Sequence, residues 1–423
     1  MKRYLRSSII TSRAVSSVSL ILTANLLNNG VTFVLSMFIA RSRSYAEFAD
    51  YSVATNVAMT LFAVSELGMN VSMIRLSNLA DRGQSEKYAL YLENLRIKLV
   101  ILNLASLVAL VPSQLLHVFS SHKESYWDLI PCALVTGGVL AVWGFKKAWY
   151  QSIQDYRAIA QMISTYAVTR LIFTLLALFY APRATIELIF LCAYLVPLSL
   201  TLLFQLKSLK AFRVVQELAK PHFAEARRSL YSYSQPVAIG GAAYVLTRNS
   251  LMFFTASTMS AREVSTLGVA LTLSAAFGLL NDAVQQVLLP RVTALKNEDV
   301  PEFRRRLSVL LPGYVLVCAL AAIALALAVS SFLGSKYSSA IPIFAIASLG
   351  LVIPSALGFQ SLLLHAVNRP DILAKFNLVA LAAFLAMAAP VGGKFGLLGL
   401  VTLHTVILIF TESLKTRALI RSL

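Results

Sequence analysis

The chain has few of the residues on which soluble enzymes and metal sites are built. Only 13% of its 423 residues are charged, and it contains three cysteines and five histidines. Cys132, Cys192 and Cys318 all fall inside apolar runs, where cysteine usually packs as a small hydrophobic side chain. The sequence has no phosphate-binding loop, no zinc-ligand spacing and no nucleophile–base arrangement. We therefore expect no catalytic residue, no metal and no cofactor.

Apolar residues dominate what is present. They make up 58% of the sequence and the mean hydropathy is +0.73, whereas a soluble protein is typically about 45–50% apolar and about 25% charged. Twelve stretches reach the length of about 20 apolar residues that a bilayer-crossing helix needs. They cover residues 16–39, 51–74, 97–118, 128–149, 158–180, 185–206, 231–257, 264–289, 308–332, 340–364, 372–390 and 395–413. The sequence therefore predicts an all-α polytopic membrane protein with twelve transmembrane helices.

Lysine and arginine are distributed unevenly between the loops of these spans. With the N-terminus in the cytoplasm, 28 of the 37 fall in predicted cytoplasmic segments and 7 fall on the opposite side. Because Lys and Arg resist translocation, this bias indicates that both termini are cytoplasmic. The net charge of +18 is then explained by basic loops beside anionic lipid headgroups. A nucleic-acid partner is not expected, because the sequence has no soluble basic domain.

A repeat with an offset of 216 residues divides the chain into two halves. Without a gap, this offset relates Glu47 to Glu263, Glu66 to Asp282, Asn70 to Gln286 and Arg75 to Arg291. Duplicated membrane units are mostly transporters whose substrate path lies between the repeats. The expected organisation is a six-helix bundle over residues 1–206, a cytoplasmic linker or interfacial helix over 207–230, and a second six-helix bundle over 231–423.

Charges near the ends of predicted spans, such as Lys98, are counted with the adjoining loops. Four charged residues stand out further inside the spans, where a charge costs roughly 2.5–3.5 kcal/mol and usually faces a protein interior or a wet cavity. These residues are Glu66, Arg170, Arg248 and Asp282. Arginine suits a phosphate-bearing substrate, because its planar group can bind two phosphate oxygens and does not deprotonate. Arg248 and Arg170 are therefore candidate substrate contacts. Glu66 and Asp282 either couple transport to a proton or sodium gradient or form structural ion pairs with the arginines.

Polar side chains at helical spacing line several spans. Asn25 and Asn28 lie on the first span, Asn56 lies on the second, and Tyr244 precedes Arg248 by one turn on the seventh. Such residues either form hydrogen bonds between helices, worth about 0.6 kcal/mol on average, or line a shared aqueous cavity. Because the polar stripes occur in corresponding spans of both halves, we favour the cavity and count these four residues among the substrate contacts.

Motifs from both halves resemble those of a known group. They are MFIARSRSYAEFADYSV, SELGMNVSMIR, VQQVLLPRVTAL, FLGSKYSSAIPIFAIASLG and HAVNRPDILAKFN. In order and spacing they resemble the polysaccharide and O-antigen flippases of the multidrug/oligosaccharidyl-lipid/polysaccharide (MOP) exporter superfamily. One departure is that Arg43, Ser44 and Tyr45 stand where the group usually has Leu-Gly-Pro in the first loop.

The resemblance implies a V-shaped, MATE-like fold of two bundles around a cationic cavity. It implies movement of undecaprenyl-pyrophosphate-linked oligosaccharide, for O-antigen, capsule or exopolysaccharide, across the bacterial inner membrane by alternating access. Membrane lipids are then partners, and association with a polysaccharide polymerase stays open. The alternatives are a MATE-type multidrug cation antiporter and another twelve-span solute transporter. An enzyme is not expected, because every predicted external loop is short.

Overall fold

Helices account for nearly all of the described chain. The computed structural model describes residues 12–66, 68–77, 83–110, 128–180, 185–204, 219–293, 297–361, 363–366 and 370–422. No strand occurs in these ranges. The all-α prediction is thus confirmed, and its physical basis is that backbone polar groups inside a bilayer must be satisfied within their own segment.

The N-terminal half is a bundle of consecutive helices. They are α1 (Ser12–Ser42), α2 (Tyr45–Ser65), α3 (Met69–Ser77), α4 (Gln84–Ala109), α5 (Ile130–Ser152), α6 (Tyr156–Tyr180) and α7 (Ile186–Phe204). Each of the first six predicted spans coincides with one of these helices, except that the second span is divided between α2 and α3. The end of the third predicted span, beyond residue 110, lies outside the described residues.

The C-terminal half continues in the same way. Its helices are α8 (Phe223–Thr258), α9 (Ala261–Thr293), α10 (Val300–Leu333), α11 (Ala340–Ser361), α12 (Leu363–Ala366) and α13 (Pro370–Ser422). α13 contains both of the last two predicted spans, separated at Gly396, whose φ of 62° is a left-handed conformation that glycine adopts freely. α8 begins within the predicted linker, and residues 207–218 of that linker lie outside the described residues, as does the end of the sixth predicted span after residue 204.

Membrane-crossing capacity can be judged helix by helix. In the described residues, six helical stretches are long and apolar enough to cross a bilayer, and the bent pair α2 and α3 makes a seventh. One of the six is the stretch that holds the last two predicted spans. Helices that do not pass this test include α4 and α8, which carry several charged residues. The protein is a multi-pass membrane protein, and the helix order is consistent with twelve spans.

The 216-residue repeat is visible in the helix boundaries. α2 begins at Tyr45, and α9 begins at Ala261, the aligned position. The described residues of α3 and α9 continue to Ser77 and Thr293. The second span of each half therefore starts at the same position in the repeat.

A matched cap opens this span in both halves. Ser44 Oγ donates to Glu47 Oε2 at 2.8 Å, and the Glu47 backbone N donates to Ser44 Oγ at 3.3 Å. Ser260 and Glu263 form the same bonds at 2.8 and 3.4 Å. This arrangement is a capping box, in which an N-cap residue typically contributes about 1 kcal/mol. The alignment of Glu47 with Glu263 is therefore also a structural equivalence.

The two halves differ in the middle of the second span. α2 ends at Ser65, α3 begins at Met69, and their axes are bent by 42°. Gly68, at the break, has a φ of 64°. α9 continues without interruption through the aligned position, Val284, because a β-branched residue cannot adopt a positive φ without strain. The second span is therefore broken in the N-terminal half and continuous in the C-terminal half.

The halves meet along a seam between α1 and α2 on one side and α8 and α9 on the other. Buried residues from both sides belong to one hydrophobic cluster, which includes Phe48 and Tyr51 of α2 and Leu267 and Leu273 of α9. The first two spans of each half thus form the contact surface between the repeats. In a duplicated transporter, this is where the substrate path is expected.

Candidate functional site

Arg248 is exposed and lies at the seam between the halves. A Cβ added to Gly278 of α9 would lie 3.7 Å from Arg248 Nη2, so the guanidinium passes a position that has no side chain. The next residue, Asn249, donates through Nδ2 to Thr60 Oγ1 of α2 at 2.7 Å. Tyr244, one turn earlier, is 38% exposed. Arg248 and Tyr244 are therefore exposed on the helix whose Asn249 contacts the N-terminal half, and the Tyr244 ring lies 5.9 Å from Lys415 Nζ of α13.

The backbone that carries Arg248 is held from behind by α13. His404 is buried and donates through Nε2 to Thr247 O at 3.0 Å. Asn377, also buried, donates through Nδ2 to Gly240 O at 3.0 Å. These bonds tie α8 to α13 at two points about two turns apart. Arg248 consequently projects from a firmly held helix rather than from a loop.

Arg170 has a different environment, because it is enclosed within the N-terminal half and only 2% exposed. Its Nη1 donates to Thr32 Oγ1 of α1 at 2.6 Å. Its Cζ lies 4.2 Å from the centroid of the Tyr194 ring. Nε and Nη2 have no hydrogen-bond partner among the described residues. Arg170 thus keeps unused donors beside the seam helix α1.

A π-turn in α7 puts Tyr194 against Arg170. Residues Leu191–Leu195 form this turn shortly before Pro197, and such turns occur frequently at functional sites. The Tyr194 ring also lies 6.1 Å from the ring of Tyr51 in α2. A desolvated cation–π contact contributes about 2 kcal/mol. Neither tyrosine was predicted as a site residue. The only local signal of the π-turn in the sequence is Pro197, which lies within the sixth predicted span.

The amide residues predicted on the first two spans lie partly around Arg170. Thr32, which accepts from Arg170, donates through Oγ1 to Asn28 O at 2.8 Å. Asn28 Oδ1, and Asn56 Oδ1 on α2, are buried without a hydrogen-bond partner among the described residues. Asn25 is partly buried one turn before Asn28. The structure therefore joins Arg170 to the polar stripe of α1, on the opposite side of the seam from α8.

Glu66 contacts groups that the sequence analysis did not connect with it. Its Oε1 accepts from Asn70 Nδ2 at 3.0 Å, and Lys98 lies within range of its charge. Lys98 was expected among the loop charges at the start of the third span. It is instead 0% exposed, because α4 begins well before it, and its Nζ donates to Ser65 O at 2.5 Å. Asp282 belongs to α9, and its side chain lies outside the described residues.

One end of the seam is closed by the turn Gly334–Tyr337, which bridges the two halves. Lys336 Nζ donates to Ala40 O at 2.7 Å and also to Arg43 O, so its ammonium group caps the C-terminal carbonyls of α1. In return, Tyr45 OH donates to Lys336 O at 2.5 Å. We call this end, formed by the end of α1, the start of α2, the start of α9 and the turn, the closed rim.

Aromatic rings complete the closed rim. Phe38 of α1 meets Phe332 of α10 with ring centroids 5.6 Å apart. Arg41 Cζ lies 4.9 Å from the same Phe332 ring. Tyr45 and Tyr337 meet edge to face at 5.3 Å. The halves are thus joined at this end by charge, hydrogen bonds and ring contacts together.

Replacing Lys336 with methionine is expected to loosen the closed rim. The change leaves the Ala40 and Arg43 carbonyls without their cap, and each hydrogen bond to a charged group is worth about 1.5–3 kcal/mol. Ser52→Cys, in a protein whose three native cysteines are replaced by alanine, reports on the rim. Its reaction with a water-soluble maleimide should be about tenfold faster with Lys336→Met than with Lys336 present. A loss of 1.4 kcal/mol from the closed state corresponds to a factor of ten in how often the rim opens. Lys394→Met is the control, and an equal rate in the two variants would contradict a latch at Lys336.

Solved structures share this arrangement of helices. The chain superposes on an inward-facing multidrug resistance MATE family transporter of the MOP superfamily with a TM-score of 0.74, at 10% identity, covering 96% of this chain and 98% of that one. It superposes on the lipid II flippase MurJ in an inward closed conformation with a TM-score of 0.63, at 16% identity, covering 95% and 88%. Against an outward-facing MATE transporter the TM-score is 0.53, at 10% identity, covering 96% and 95%. The MATE-like fold is confirmed.

Comparison at the level of sequence gives a family. No protein of curated function matches the chain. The model of the polysaccharide biosynthesis protein family matches residues 14–296, which is more than half of the chain. The matched region includes nearly all of the N-terminal half together with α8 and α9, and so contains both sides of the seam. The chain therefore belongs to the polysaccharide biosynthesis protein family and has the fold of the MOP superfamily transporters.

Proposed function

We propose that this protein is a flippase that moves an undecaprenyl-pyrophosphate-linked oligosaccharide across the bacterial inner membrane. The observation that carries the proposal is Arg248, an exposed cation at the seam between the repeats of a chain in the polysaccharide biosynthesis family. Such a substrate has a dianionic or more highly charged head, a polar glycan and a long apolar tail. Its carrier needs a cation that the head can reach, polar walls and contact with lipid.

Arg248 is suited to the head of this substrate. Its planar group can donate two parallel hydrogen bonds to phosphate oxygens, and it stays charged at any physiological pH. The absent side chain at Gly278 leaves the guanidinium uncovered on that side. Tyr244 offers an aromatic face of the kind that packs against sugar rings, one turn away. The amides of Asn25, Asn28 and Asn56 supply donors and acceptors from the opposite side of the seam.

Arg170 supports the same head from within the N-terminal half. Its unused Nε and Nη2 donors and its enclosed position give a positive potential that is screened less than that of an exposed charge. Tyr194 and Thr32 fix its orientation. In the proposed mechanism Arg248 makes the direct contact, and Arg170 raises the affinity of the cavity for an anion.

Alternating access gives the closed rim a role. With the N-terminus in the cytoplasm, as the charge distribution predicts, the closed rim is periplasmic, and the proposed resting state admits substrate from the cytoplasmic side. This state receives a substrate assembled on the inner leaflet. Release requires the contacts of Lys336 and the rim aromatics to part while the cytoplasmic side closes. A polysaccharide polymerase on the periplasmic side is the proposed recipient of the product.

A multidrug cation antiporter is the alternative that shares the fold. Its cationic substrates require acidic groups in the path, and α1, the seam helix of the N-terminal half, contains none. The described carboxylate of Glu66 is engaged by Asn70 and lies beside Lys98. A cation at the seam would also meet Arg248. The charge of the described seam therefore favours an anionic substrate.

The proposal is tested in a strain from which the gene has been deleted. Lipid-linked oligosaccharide should accumulate in the inner leaflet and surface polysaccharide should disappear, because the carrier cannot reach the periplasmic side. A plasmid with the wild-type gene should restore display, and so should Lys394→Met, a change away from the seam. Undiminished display in the deletion strain, in a background without a second flippase gene, would contradict the proposal.

A further inference from the structure

The break in the second span holds a lysine at a place where transporters commonly bind a metal cation. In discontinuous membrane helices, the carbonyls at the end of the first half-helix are free to coordinate sodium. Here the carbonyl of Ser65, the last residue of α2, accepts a hydrogen bond from Lys98 Nζ at 2.5 Å. Lys98 is 0% exposed. Its ammonium group therefore occupies the carbonyl end of the break.

Further oxygen atoms suited to a hard cation belong to the side chains that follow Ser65 and to the turn of α4 before Lys98. Glu66 supplies a carboxylate, which accepts from Asn70 Nδ2 at 3.0 Å. Asn70 Oδ1 accepts from Asn94 Nδ2 at 3.2 Å. Asn94 is fully buried, and its Oδ1 has no hydrogen-bond partner among the described residues. Carbonyl, carboxylate and amide oxygens are the ligands that hard metal cations select.

Asn94 and Lys98 have no counterparts at the aligned positions of the C-terminal half. With the offset of 216 residues, Asn94 aligns with Leu310 and Lys98 aligns with Tyr314. α9, the counterpart of the broken span, is continuous. The lysine, the amide and the break therefore occur together in one half and are missing together from the other, which indicates a single device rather than shared scaffold.

The second part of the broken span is attached to the helix that carries Arg248. Met73 and Leu76 of α3 share a hydrophobic cluster with Ala226 and Leu230 of α8. Beside this cluster, Arg227 of α8 pairs with Glu93 of α4 at 2.7 Å, and Glu93 is the neighbour of Asn94. The angle at the break therefore sets where the first turns of α8 lie against the N-terminal half.

We propose that the Lys98 ammonium is a tethered cation that takes the place of sodium at the broken second span. It supplies one positive charge to Ser65 O and Glu66, as a sodium ion would, but without an ion from solution. The N-terminal half is then independent of sodium, and removal of the amine creates a vacant cation site. This inference concerns ion binding by the N-terminal half and does not depend on which substrate the seam carries.

Lys98→Ala tests the inference through thermal unfolding of the purified full-length protein. Tm is measured in sodium chloride and in choline chloride at equal ionic strength. The wild type should unfold at the same temperature in both salts. Lys98→Ala should have a lower Tm in choline and gain about 2–4 °C in sodium, because an ion that binds only the folded state raises Tm.

Two further variants make the result specific. Lys98→Ala combined with Glu66→Gln should lose the sodium response, because the carboxylate that would hold the ion is gone. Lys146→Ala, which removes a partly buried lysine from α5, should show no sodium response. A sodium-stabilised wild type, or a folded Lys98→Ala protein with equal Tm in both salts, would overturn the inference. If Lys98→Ala can be purified as folded protein only with sodium present, the inference is supported. If it cannot be purified in either salt, sodium cannot replace the lysine and the inference is wrong.

Discussion

Arg248→Ala is expected to lower surface polysaccharide display about a hundredfold in a strain that depends on this protein. Two hydrogen bonds from a guanidinium to phosphate are each worth about 1.5–3 kcal/mol, and 1.4 kcal/mol corresponds to a factor of ten. Protein abundance should stay unchanged, because Arg248 is exposed and its removal leaves the α8–α13 contacts in place. Display is measured by labelling the polysaccharide on intact cells, and abundance by immunoblotting of membranes.

Matched variants separate charge from geometry at this position. Arg248→Lys should restore part of the display, because lysine keeps the charge but loses the planar fork. Arg228→Ala removes another exposed arginine from the same helix and should leave display normal. Normal display in Arg248→Ala would remove the substrate contact from the account. Equal losses in Arg228→Ala and Arg248→Ala would indicate a general effect on α8.

A disulfide between Ser52→Cys and Gly268→Cys is expected to stop transport by locking the closed rim. A Cβ added to Gly268 of α9 would lie 2.9 Å from Ser52 Cβ of α2, and a disulfide needs about 3.5–4.5 Å, so a small separation of the helices suffices. A covalent bond here prevents the periplasmic opening that alternating access requires. In a protein without native cysteines, oxidation should abolish translocation and reduction should restore it.

The single-cysteine variants are the controls for this lock. Ser52→Cys alone should transport normally under oxidising and reducing conditions. Gly268→Cys alone introduces a side chain that crowds Ser52, so its activity gives the reference for the double variant in the reduced state. Full crosslinking with undiminished translocation would contradict a rim that opens during transport.

The helical architecture was predictable because it follows from local properties of the chain. Apolar runs of bilayer length locate the helices, and every predicted span overlaps one. The repeat was readable because acidic, amide and basic residues recur at one offset, and the structure shows that one aligned pair, Glu47 and Glu263, makes the same capping bonds. Such caps act within one turn and are therefore visible in sequence. The exact starts were less predictable, since α2 begins at the capped Tyr45 rather than at the first strongly apolar residue.

Side-chain environments were less predictable, because they depend on which helices pack together. Arg170 and Arg248 look alike in sequence, each near the middle of a span beside tyrosine and threonine. The structure encloses Arg170 under Tyr194, which the π-turn in α7 positions, and leaves Arg248 exposed on α8. Lys98 was counted with loop charges, because nothing in its local sequence shows that it meets the end of α2.

The most direct test of the central claim is translocation by the purified protein in vesicles. Undecaprenyl-pyrophosphate-linked oligosaccharide is placed in both leaflets, and a membrane-impermeant glycosidase is added outside. Vesicles with the wild-type protein should lose the protected, inner-leaflet fraction, whereas vesicles with Arg248→Ala or with the oxidised rim disulfide should retain it. Retention of the protected fraction by the wild-type protein, or equal loss with Arg248→Ala, would contradict the account.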